Sequence, residues 1–122
     1  MAWLIEAFKR LIRKFQNAFL GLKAGILYDR SILVQMILAI ISLIFFYLLK
    51  ISYVEWLFVI TAIFVVVVSE FLNSAIEDVC DLLVKKYDLH VKEIKDIAAA
   101  AVLLAAIYAV VVAIFIIGRR IL

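Results

Sequence analysis

Apolar residues open the chain at helical spacing. Trp3, Leu4, Ala7, Phe8, Leu11, Ile12 and Phe15 recur at i, i+3, i+4 and i+7, with Lys9, Arg10, Arg13 and Lys14 on the opposite face. This pattern predicts an amphipathic helix over residues 1–20, lying in a membrane interface. Charges interrupt it at every turn, so it lacks the continuous apolar stretch of a signal peptide. Gly21 and Gly25 follow. They are expected either to mark a turn into the membrane or, being four residues apart, to permit close helix contact.

Beyond Asp29, Arg30 and Ser31 the pattern changes to long apolar runs. Three helices that contain membrane spans are expected, at about 32–49, 52–80 and 96–118. The first is uncharged, with Gln35 as its one strongly polar side chain. The second has only 14 uncharged residues between Trp56 and Ser69. That is roughly 21 Å of helix against a hydrocarbon core of about 30 Å. Either Glu55 snorkels, or Glu70 lies at the bilayer edge. The stretch from Val84 to Ile94 reads as a polar loop, with Asp96 as the cap of the third span. Period-2 alternation is absent, which argues against a barrel.

Composition fits that picture. The chain is 70% hydrophobic with a mean hydropathy of +1.24, more apolar surface than a soluble domain of 122 residues can hide. The net charge of +3 is modest and clustered near the spans, so lipid headgroups are the expected partner and nucleic acid is not. A single cysteine and a single histidine argue against a disulfide or a structural zinc site. Six Lys and Arg precede the first span, one (Lys50) follows it, and four lie between the second and third. The N-terminus and the second connection are therefore expected on the cytoplasmic side of the membrane. Arg119 and Arg120, which then fall outside, run against that rule.

The chemistry concentrates in S-E-F-L-N-S-A-I-E-D-V-C-D-L, residues 69–82. Glu70, Asn73, Glu77 and Asp81 fall on one narrow helical stripe. Acids at a membrane boundary are costly and are usually kept to hold a cation or move a proton. By residue type, Glu77 and Asp29 suit a divalent cation beside phosphate oxygens, Lys95 suits phosphate charge, and Asp96 suits orientation of nucleotide or lysine. Glu70, the deepest acid, suits a general base for a lipid hydroxyl, with Asn73 orienting it or the substrate. No Walker loop, H-R-D or D-F-G is present, which excludes the soluble kinase types. An acidic ring at the mouth of a small oligomeric channel or pore is the competing reading. Asp29 with Arg30 as an exposed salt pair is the bland alternative for that acid.

The stretch from Glu70 to Asp81 resembles the signature of the small bacterial membrane kinases of diacylglycerol and undecaprenol: E, two residues, N-[ST]-A-[IL]-E, then D four residues on. K-D-I-A-A-A-A-V-L, from Lys95, resembles that family's second block. The resemblance implies an all-α integral membrane fold with three transmembrane helices and a surface helix, assembled as a homotrimer. It implies ATP as phosphate donor, Mg²⁺, and a membrane lipid alcohol as acceptor. It makes Glu70 the base, Glu77 a metal ligand, and Asn73, Lys95 and Asp96 active-site residues. Asp29 falls where the family usually has a metal-binding glutamate. Arg10 and Asn17 fall near positions implied to face nucleotide or lipid and are assigned to ATP; Lys86, Tyr87 and Asp88 fall on a loop implied to contact nucleotide, and Gln35 and Ala99, with Glu70, at positions implied to face lipid. Glu55–Trp56 and Asp29-Arg30-Ser31 lean toward the undecaprenol branch, although that branch generally has Gly where Ala100 stands. A site shared between chains is expected, with Asp29 or the surface helix from one and Glu70 from the next.

Overall fold

A computed structural model describes residues 1–122 as four helices: α1 (Ala2–Tyr28), α2 (Arg30–Leu48), α3 (Tyr53–Leu83) and α4 (Leu89–Ile121). The last three are long and apolar enough to cross a membrane. Helix α3 packs chiefly on α4, α2 on α3, and α1 on α2. Only 14 of 122 residues are buried, so most large apolar side chains of the spans face outward, where lipid would solvate them. The core is a small cluster of Phe46, Ile51, Val59, Ala62, Val112 and Ile116. Small residues let α4 approach α3: Ala98 and Ala105 are buried there, whereas Ala99, Ala100 and Ala101 face out.

Three local expectations are corrected. Helix α1 runs on through Gly21 and Gly25 and breaks at Asp29, whose extended backbone (φ −109°, ψ 116°) stops it. Gly25 instead permits close contact: a Cβ there would collide with the ring of Phe71 on α3, while Gly21 faces open space. Second, α4 begins at Leu89, so most of the expected loop after Val84 is helix. Charged residues such as Lys92 and Glu93 are good helix formers, and polarity alone did not make them a loop. Third, the cap of α4 is Asp88, which accepts from the N–H groups of His90 and Val91, and not Asp96, which lies two turns inside.

Helix α2 sets the thickness of the bundle. Its 19 residues, from Arg30 to Leu48, span about 28 Å, close to one hydrocarbon core. Asp29 and Lys50 therefore mark opposite boundaries. At the Lys50 end Glu55 is 6% exposed and does not snorkel. It forms a capping box with Ser52, and Arg120 reaches across from α4 to hold both its oxygens at 2.8 and 2.9 Å. Arg120 is thus neutralised by a partner 65 residues away, which removes half of the charge anomaly at that end. Losing one partner of such a pair strands the other. We expect Arg120→Ala to melt in detergent well below the wild type, and the double variant Glu55→Gln/Arg120→Ala to recover part of that loss. Thermal unfolding of the two side by side checks the order.

Candidate functional site

At the Asp29 boundary the polar stripe of α3 turns inward. Glu70, Asn73 and Ser74 are buried, Glu77 is half-buried, and Asp78 and Asp81 are exposed. Helical spacing produces this gradient: the i, i+3, i+4, i+7 face points into the bundle, and α3 outruns α2 beyond Asp29. Ser74 is the member that motif reading passed over, although it stands four residues after Glu70.

The head of α2 closes the site. Asp29 caps α2 by accepting from the Ile32 N–H at 3.1 Å through Oδ1, and it forms no ion pair with Arg30. The carboxylates of Asp29 and Glu77 both lie close enough for their charges to bear on Glu70, and the Gln35 side chain faces it. Asp29 therefore approaches Glu70 of its own chain. Asn73 Nδ2 donates to Glu77 Oε1 at 3.4 Å, so the amide contacts Glu77 and not Glu70. Its Oδ1 is buried with no hydrogen-bond partner.

From α4, Lys95 pairs with Asp81 at 2.5 Å, and Lys92 pairs with Asp96 at 2.6 Å. Asp96 thus orients Lys92, one turn back, and not Lys95. Lys95, which stands ahead of the apolar run, donates to Asp81, and that bond holds it above the ordinary lysine pKa; the bond that Lys92 donates to Asp96 does the same for Lys92. Glu77 is also near enough to act on the Lys95 charge, which puts Lys95 on the flank of the stripe.

Other candidates lie apart. Lys86, Tyr87 and Asp88 sit exposed in the short α3–α4 connection. Ala99 faces outward on α4. Arg10 and Asn17 are exposed on α1, which buries no residue. Counted from the Gly25 contact, they stand about 22 Å and 12 Å up the helix.

Below Glu70 a groove of about 340 Å³ runs between α2, α3 and α4, with 13 of its 15 lining residues hydrophobic. Gln35 belongs both to this groove and to the surroundings of Glu70, so it joins the apolar slot to the acids. Ala39, Ala62, Ala106 and Ala109 keep the slot open, and Phe46 stands at its far end.

The donor set suits a hard cation. No three His, Cys, Asp or Glu side chains gather as a ligand cage. Magnesium needs none: it keeps waters and takes one or two carboxylates plus phosphate oxygens. Glu77, half-buried, and Asp29, with one oxygen beyond its cap, fit that pattern.

A family model described as prokaryotic diacylglycerol kinase matches residues 16–117, which includes every residue of this cluster and the whole of the groove. No curated protein matches the chain.

Proposed function

The chain belongs to the prokaryotic diacylglycerol kinase family and is therefore a lipid kinase, and from that premise we propose that it transfers the γ-phosphate of ATP to the hydroxyl of a membrane lipid alcohol at the Asp29 boundary. The observation that carries the reading is Glu70: a buried carboxylate flanked by Asp29, Glu77 and Gln35 at the head of an apolar groove.

The lipid tail lies in the groove, and its hydroxyl comes up beside Gln35 and Glu70. Glu70 takes the hydroxyl proton. The lipid oxygen then bonds to the γ-phosphorus as the bond from that phosphorus to the β–γ bridging oxygen breaks, and ADP leaves with that oxygen. Asn73 holds Glu77 through its amide N–H. Glu77 and Asp29 are the residues that would hold Mg²⁺. The ion, when bound, neutralises phosphate charge as it develops. Lys95, on the flank, turns from the exposed Asp81 to meet the phosphates.

Undecaprenol is the favoured acceptor over diacylglycerol. A single slot fits one chain per hydroxyl, and Glu55–Trp56 and Asp29-Arg30-Ser31 lean the same way. Purified protein with labelled ATP, undecaprenol and diacylglycerol side by side tests this. Phosphorylated undecaprenol is expected as the faster product, and no labelled lipid from either alcohol would remove the kinase reading.

Orientation follows from where ATP is found: the N-terminus and the α3–α4 connection face the cytoplasm of a bacterial inner membrane, as the Lys and Arg count favours. Helix α1 then lies in the interface, its apolar residues toward lipid.

Arg10 and Asn17 are too far along α1 to meet their own Glu70, so they serve a neighbouring chain in a homotrimer. Lys86, Tyr87 and Asp88 border the nucleotide from the connection. Mixing Arg10→Ala with Glu70→Ala chains should restore activity to about a quarter of wild type, the chance that an intact Glu70 meets an intact Arg10 in a random one-to-one closed assembly. Mixtures no more active than the single variants would place the whole site in one chain.

A further inference from the structure

At the end of the bundle away from Glu70, α3 and α4 leave a second groove between them. It holds about 370 Å³ and is walled by Val54, Phe58, Tyr108, Val111 and Phe115, with Glu55 and Arg119 also on its lining. It shares only Val112 with the groove below Glu70. Down α4 it runs from Arg119 to Tyr108, about 16 Å, which is half of a hydrocarbon core of about 30 Å. Its apolar walls therefore cover the depth of one leaflet and stop near mid-bilayer.

The charges at this end are unequal. Glu55 Oε1 accepts from Arg120 and from the Ser52 N–H, each at 2.9 Å, and Oε2 accepts from Arg120 at 2.8 Å. The acid is fully engaged, and Arg120 cancels its charge. Arg119 donates no hydrogen bond and pairs with no acid. A guanidinium without a partner thus stands over an apolar slot one leaflet deep.

We propose that the α3–α4 groove headed by Arg119 binds an anionic phospholipid of the leaflet opposite the catalytic boundary. The headgroup phosphate meets the Arg119 guanidinium, whose planar donors suit it, and one acyl chain fills the slot down to Tyr108. The lipid is a ligand and not a substrate, since no free carboxylate stands beside its headgroup. Bound there, it bridges α3 and α4 beside the Glu55–Arg120 pair and favours the packed form of the two helices.

The test uses the full chain, stripped of lipid in a neutral detergent and titrated by native mass spectrometry with phosphatidylglycerol and phosphatidylcholine of identical acyl chains. Phosphatidylglycerol is expected to bind about tenfold more tightly, because the choline cation of phosphatidylcholine offsets its phosphate charge beside Arg119. Arg119→Gln should erase that preference by weakening phosphatidylglycerol much more than phosphatidylcholine, whose choline cation already opposes the Arg119 charge. Arg119→Lys, which keeps the charge, should retain most of it and serves as the folded control. Val111→Trp, which fills the slot, should weaken both lipids. Lys50→Gln removes a charge at the same boundary but off the groove, and should change nothing. The proposal is overturned if the preference survives Arg119→Gln, or if Lys50→Gln erases it equally. It is overturned too if Val111→Trp spares both lipids but shifts the mass of the assembled protein, because a second copy of the chain would then cover the groove.

Discussion

Glu70→Gln is expected to lower lipid phosphorylation by about 10²–10⁴-fold, the usual contribution of a general base. The glutamine keeps the shape of the side chain and its contact with Gln35 but cannot take the hydroxyl proton. Stability should move the other way. Glu70 is 6% exposed, has no cationic partner, and feels the charges of both Asp29 and Glu77. A neutral amide removes the cost of keeping a charge there. The variant should therefore melt in detergent no lower than the wild type, as expected where a fold carries an unfavourable group for its chemistry. Initial rates at saturating ATP and lipid, with melting curves on the same preparation, check both halves. Turnover within about threefold of the wild type would remove Glu70 from the mechanism, because even a weak base contributes more than that.

The spans and the acid stripe were legible because both are local. A run of apolar residues declares a membrane helix wherever it lies, and Glu70, Asn73 and Glu77 share a face by helical geometry alone. What the residues concealed was long-range. Nothing near Glu55 announces Arg120, 65 positions on, and nothing near Asp81 announces Lys95. The first pair changed the reading of an acid that had looked as if it snorkelled, and the second gives Lys95 an acid partner at the flank of the stripe. Helix ends misled for a different reason. Asp29, Asp88 and Asp96 are equally good caps by type, and the choice among them depends on where the chain must turn. The polar segment after Asp88 continues α4 because its residues favour helix and water satisfies their side chains.

Glu77→Gln tests the phosphate side of the site. Its carboxylate is half-buried, held by the Asn73 amide at 3.4 Å, and lies between Glu70 and Lys95 in charge. If Glu77 holds the nucleotide-bound cation, the amide variant should lose about 10²–10³-fold in rate, the scale of removing one preorganised contact to developing charge. Raising Mg²⁺ should recover part of the loss in Glu77→Gln and none in Glu70→Gln, since only the former weakens cation binding. Asp29 separates the two functions that meet in one residue. Asparagine caps a helix about as well as aspartate, so Asp29→Asn should keep the α2 cap and melt normally while requiring more Mg²⁺. Asp29→Glu keeps the charge on a longer arm but gives up the good cap, and should melt lower with its cation requirement unchanged or eased. Rates against Mg²⁺ concentration for the four variants distinguish these roles. A Mg²⁺ dependence that is the same in Glu77→Gln, Asp29→Asn and the wild type would mean that the cation is held elsewhere, and that these acids only shape the field around Glu70.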